Sequence, residues 1–113
     1  ICGVVIEKGA IVRDSIIMQN AVIKEGAVID KAIIAEQAVI GERAQLGVGE
    51  EVPNKVKPAV YAFGLTVIGE KAVVPPDVKI GKNTAITGVT LPEDYPDGVL
   101  ASGETLDKAG DVA

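Results

Sequence analysis

Arg13, Lys31 and Arg43 are the residues whose type and placement best suit a chemistry, because basic side chains on outward positions of neighbouring repeats can hold a phosphate between them. The same three also suit a solvated face with surface ion pairs. Lys8, Glu25, Glu42 and Glu70 fall at one position of each repeat, and as a corner column they read as solubilising charge facing water. The remaining chemistry is settled by subtraction. The chain has no histidine, so it lacks the usual general base and the commonest metal ligand. A lone thiol, Cys2, has no histidine to activate it and reads as incidental. Gly47-Val48-Gly49 lacks the third glycine of a dinucleotide loop and sits in no strand-turn-helix setting. No catalytic residue and no metal site are assigned.

The elements that position these side chains follow from internal repetition. Val5 to Ala21 (VIEKGAIVRDSIIMQNA) recurs as Val22 to Ala38 (VIKEGAVIDKAIIAEQA), with seven of seventeen aligned positions identical. A third copy opens at Val39 and a fourth at Val67. A short fixed period marks a stacked, quasi-one-dimensional fold. Aliphatic residues recur at about six-residue spacing, with a small residue four positions later, as in Ile68, Val74, Ile80 and Ile86 followed by Ala72, Val78, Thr84 and Thr90. That period is not helical, and the Val and Ile content with recurring Gly favours short strands.

Three hexads less one residue give a coil of seventeen, hence a prism with strands on its flat sides. About five such rungs at roughly 4.8 Å make a rod on the order of 24 Å long. The spacing predicts three interior columns: Ile6, Ile23, Ile40 and Ile68; Val12, Ile29, Leu46 and Val74; and Ala10, Ala27, Ala44 and Ala72. A narrow prism filled by Val, Ile and Ala accounts for a chain that is 48% hydrophobic yet 3% aromatic.

The β-helix is expected over residues 1–91, interrupted by a loop over 47–66 that adds about eleven residues to one coil and carries Pro53 and Pro58. An acidic tail follows over 92–113, where one Lys faces six acids, while the preceding residues carry ten charges of each sign. With no concentrated basic patch and no aromatic platforms, nucleic-acid binding is not expected. Ala59 to Phe63, the longest apolar run, is far short of the roughly 18 residues of a membrane span. No signal peptide is apparent, and one cysteine suits a reducing cytoplasm. A start at Ile1, already close to a repeat, suggests a piece of something larger.

The hexads resemble those of left-handed β-helices, as in Ile40-Gly41-Glu42-Arg43-Ala44 and Ile80-Gly81-Lys82-Asn83-Thr84. Parallel crossovers are right-handed in about 98% of cases, so left-handedness is an implication of this resemblance alone. Many hexapeptide-repeat proteins are His-dependent acyltransferases or carbonic anhydrases, and neither mechanism can run on these residues. More closely, RDSIIMQNAVIKEGAVIDKAIIAEQAVIGERA from Arg13 to Ala44, a loop with Pro53-Asn54-Lys55, GLTVIGEKAVVPPDVKIGKNTAI from Gly64 to Ile86, and Leu100-Ala101-Ser102-Gly103-Glu104 resemble the C-terminal domain of bacterial glucose-1-phosphate adenylyltransferase (ADP-glucose pyrophosphorylase). The resemblance implies a parent that converts ATP and glucose 1-phosphate to ADP-glucose and pyrophosphate with Mg²⁺, towards glycogen, on an N-terminal catalytic domain absent from these residues. It implies a non-catalytic module that packs on that domain and on other subunits of a homo- or hetero-tetramer, beside a site for an anionic sugar-phosphate effector. Lys31 lies in the family-like Val28-Ile29-Asp30-Lys31 string, whereas Arg13 and Arg43 rest on charge and exposure. The alternatives are the β-helix of another sugar-phosphate nucleotidyltransferase, such as a mannose-1-phosphate guanylyltransferase, or of a catalytically silent regulatory subunit.

Overall fold

A computed structural model describes residues 3–56, 59 and 63–108. Cys2, Lys57 and Pro58 lie outside the described residues. The first coil comprises β1 (Val5–Ile6), β2 (Ile11–Arg13) and β3 (Ile16–Ile17), and the second β4 (Val22–Ile23), β5 (Val28–Asp30) and β6 (Ala32–Ile34). The third holds β7 (Val39–Ile40), β8 (Gln45–Val48) and, beyond a long loop, β9 (Thr66–Ile68). The fourth holds β10 (Val73–Val74), β11 (Lys79–Gly81) and β12 (Thr84–Thr87), and the fifth β13 (Val99–Leu100) and β14 (Thr105–Asp107).

Strands on the same side pair in parallel into three sheets: β1-β4-β7-β10, β2-β5-β8-β11-β13 and β3-β6-β9-β12-β14. The fold is an all-β solenoid of about five coils, consistent with the left-handed β-helix expected from the hexads. Strands this short are stable only as stacks, since each coil buries its aliphatic side chains against the coils above and below. Corners turn the chain onto the next side within one or two residues and use a left-handed backbone. Asp14, Asn20, Lys31, Gln37, Arg43, Lys71, Asp77 and Asn83 all have positive φ there.

The registers correct the expected columns. Ile6, Ile23 and Ile40 do stack, but Val74 lies beneath Ile40. Ile68 belongs to another side, between Ile34 and Ile86, and Ile80 follows Leu46 beneath Val12 and Ile29. Val67 pairs with Ile33, thirty-four positions earlier, so the excursion adds a full seventeen residues, where about eleven were expected. Consequently Ala72 lies beneath Ala38, and Val78 lies beneath Ala44. Glu70 likewise leaves the Lys8-Glu25-Glu42 column and sits below Glu36. Hexads on all three sides look alike, and the loop returns the chain one side short of where sequence alignment places it.

Ile23, Ile29, Ile34, Ile40, Leu46, Ile68, Ile80 and Ile86 are completely buried. Part of the acidic segment expected as a tail joins this core. Val99 pairs with Lys79 and Thr105 with Ala85, giving the fifth coil, and Tyr95 and Leu100 are buried in the same hydrophobic cluster.

Candidate functional site

Arg13 ends β2, directly above Asp30 of β5, and Lys31 occupies the corner that follows. The Arg13 carbonyl accepts from the Lys31 N–H at 3.1 Å and from the Ser15 hydroxyl at 2.6 Å, while Ser15 Oγ accepts from Ala32 N–H at 3.0 Å. This knot fixes the backbone beneath two exposed cationic side chains on adjacent coils. Among the described residues neither Arg13 nor Lys31 enters an ion pair. Asp30 is in register with Arg13, so a carboxylate shares this corner with the two cations.

Arg43 stands apart from them. It lies at the corner before β8, whereas Lys31 lies at the corner after β5, so the width of a prism side separates the two. Its guanidinium holds Asp77 by two bonds, Nε to Oδ1 at 2.7 Å and Nη2 to Oδ2 at 3.0 Å. Those bonds hold the Asp77 carboxyl below its ordinary range and raise Arg43 above its own. Of the three expected effector residues, the structure brings Arg13 and Lys31 together and places Arg43 elsewhere, already paired.

The corner carrying Lys31 is also where the excursion re-enters, because the Lys31 carbonyl accepts from Thr66 N–H at 3.0 Å at the start of β9. The loop base is pinned by residues that sequence reasoning left unassigned. Asn54 is buried and donates from Nδ2 to the Asn83 carbonyl at 2.8 Å and to Thr105 Oγ1 at 3.1 Å. Asn83 is buried too, donating to the Val52 carbonyl at 3.0 Å and accepting from Gly64 N–H at 2.8 Å. Lys55 adds an ion pair with Glu104. Asn83 sits at a corner with its backbone at φ +54°, one of several polar corner residues, and nothing in the sequence set it apart.

Beside the pinned loop lies a cleft of about 370 Å³ lined by Val48, Val52, Gly81, Val99, Leu100 and Ser102. No basic side chain lines it. Among the described residues no group of three or more His, Cys, Asp or Glu stands close enough to hold a metal ion.

A family model described as "GlmU-like, C-terminal hexapeptide" matches residues 1–68. The chain is 53% identical over 65 residues to a glucose-1-phosphate adenylyltransferase of Lachnospira eligens, covering 58% of this chain and 15% of that protein. It is 42% identical over 67 residues to the enzyme of the same name from Acetivibrio thermocellus, covering 59% of this chain and 16% of that one. The matched stretch thus spans about one sixth of those relatives. A solved GDP-perosamine N-acetyl transferase structure from Caulobacter crescentus aligns with 95% of this chain and 51% of its own, at 18% identity and a TM-score of 0.37, too remote to inform function.

Proposed function

Because the chain belongs to the GlmU-like, C-terminal hexapeptide family, we propose that it is the non-catalytic β-helix domain of a cytoplasmic glucose-1-phosphate adenylyltransferase, the enzyme that makes ADP-glucose for glycogen synthesis. The observation that carries this reading is the 53% identity over 65 residues to a protein of that name. The absence of histidine and of a metal cluster among the described residues supports leaving ATP, glucose 1-phosphate and Mg²⁺ to the remainder of the parent.

The module's task in this reading is assembly and regulation. Its rigid sides present side chains at fixed intervals to a catalytic domain and to other subunits of a tetramer. The Arg13–Lys31 corner offers two unpaired cations to an anionic sugar-phosphate effector. Arg43 would contribute only by releasing Asp77.

The test has two parts. The isolated chain with ATP, glucose 1-phosphate and Mg²⁺ is expected to form no ADP-glucose, and turnover would refute a non-catalytic role. In the full-length enzyme, Arg13→Ala with Lys31→Ala is expected to weaken activation by a hexose bisphosphate at least tenfold, leaving unactivated turnover intact. Unchanged activation would remove the effector assignment.

A further inference from the structure

The long loop is bonded to a coil that it does not adjoin in sequence. It leaves β8 in the third coil, yet Lys55 N–H donates to the Gly103 carbonyl at 2.9 Å and Asn54 Nδ2 reaches Thr105 Oγ1 at 3.1 Å, both in the fifth. Lys55 also pairs with Glu104. Gly103 permits this approach: its φ is +83°, and a Cβ there would stand 2.6 Å from the Pro53 carbonyl oxygen. The returning end of the loop is tied to the fourth coil, where Gly64 N–H donates to Asn83 Oδ1 at 2.8 Å.

The fifth coil in turn leans on the loop. The sheet β1-β4-β7-β10 has no fifth strand, so β13 and β14 are the only strands of this coil. Val99 is exposed, and β14 is at most half-buried. In the segment before β13, Tyr95 is buried and plugs the hydrophobic cluster, with its hydroxyl on Thr90 Oγ1 at 2.8 Å. The inner coils enclose far more, with Ile23, Ile29, Ile34, Ile40 and Leu46 fully buried. Local openings therefore start in the fifth coil sooner than in the inner ones.

Asn54 and Asn83 make such an opening a joint event. Both side chains are buried, and Asn54 spends its amide on the Asn83 carbonyl and Thr105, while Asn83 holds Val52 and Gly64. If the fifth coil parted while the loop stayed seated, Asn54 would remain buried without Thr105. A half-satisfied buried network is less stable than a complete one or a solvated one. We propose that the loop and the fifth coil form one latch, opening and closing together while the inner coils stay folded, although Asn54 and Thr105 lie fifty-one positions apart. A ligand or subunit that steadies either part then steadies the other by the same factor. This inference does not depend on the proposed enzyme.

Native-state amide exchange of the 113-residue chain in low denaturant checks this. Val56 N–H, on Asn54 Oδ1, and Gly64 N–H report the loop, while Gly103 N–H, on the Lys82 carbonyl, and Lys108 N–H, on the Thr87 carbonyl, report the coil. All four should share one opening free energy and one denaturant slope, both smaller than at Lys24 and Val39 in the inner coils. Two glycine variants test the link without touching the contact. Gly98→Ala strains the fifth coil at φ +75°, its Cβ meeting only the Asp77 carbonyl oxygen at 3.7 Å. It should speed exchange at Val56 and Gly64 as much as at Gly103 and Lys108, by about fivefold or more. Gly64→Ala strains the loop at φ +76° and should speed Gly103 and Lys108 as much as Val56. Effects confined to the altered part would overturn the inference. So would different slopes for loop and coil in the unaltered chain, or four amides that exchange only together with the inner coils. The unaltered chain decides the matter even where a variant does not fold.

Discussion

Asn54 and Asn83 lock the long loop to the solenoid: Asn54 Nδ2 donates to the Asn83 carbonyl at 2.8 Å, and the Asn83 side chain in turn binds Val52 and Gly64, which flank the loop on either side. Asn54 also reaches Thr105 of the fifth coil. The loop leaves the third coil yet is fastened to the fourth and fifth, so it acts as a strap across three coils. The two asparagine side chains are buried and hydrogen-bonded, which makes the arrangement costly to disturb in part.

Asn54→Ala is therefore expected to cost about 1–3 kcal/mol, the penalty for leaving buried partners without a donor. Chemical denaturation would measure the loss. Amide exchange would locate it, because the Val56 N–H that bonds Asn54 Oδ1 at 2.8 Å should lose protection. A wild-type midpoint with Val56 still protected would show that the strap is held by other contacts.

Position in the stack decides what an isoleucine contributes. Ile40 is enclosed by Ile23 above and Val74 below, with none of its surface exposed, and Ile40→Ala should destabilise by about 2–5 kcal/mol through lost burial and an unfilled cavity. Ile6 heads the same column half exposed, and Ile6→Ala should cost about 1 kcal/mol. Ile23→Asp places an unpaired charge inside the column and should leave the protein insoluble or unfolded. Paired thermal melts of Ile40→Ala and Ile6→Ala give the comparison, and equal losses would contradict the stacking.

The hexads made strand type, parallel stacking and the number of coils legible, because a period of six with branched aliphatics has few other ways to bury itself. They did not reveal which side of the prism Val67 occupies. Ile34, Ile40 and Leu46 present the same local pattern from three sides, and only the register across the loop, Ile33 to Val67, distinguishes them. The candidate site suffered from the same ambiguity. Arg13, Lys31 and Arg43 are equally exposed and basic in sequence, yet a side's width separates Arg43 from the others, and its partner Asp77 lies thirty-four positions away. Tyr95 was hidden for a different reason. It follows the last regular hexad, between two prolines in an acidic segment, where nothing periodic announces a buried ring.

Tyr95 also gives the fold a response to base. Burial pushes its phenol from 10.0 up to about 12, partly offset by the bond to Thr90 and reinforced by the nearby Asp94 carboxylate. Because the folded value is raised, the stabilisation from keeping the phenol neutral is complete below pH 10 and is lost as pH rises towards 12. Unfolding should thus steepen across that window. The chain has two tyrosines, so phenolate absorbance should show one of them ionising late, together with loss of structure. Tyr95→Phe should remove the late step and flatten the alkaline decline, while losing roughly 1 kcal/mol at neutral pH with the Thr90 hydrogen bond. If the variant's stability fell between pH 10 and 12 as steeply as the parent's, the plug would not be what titrates.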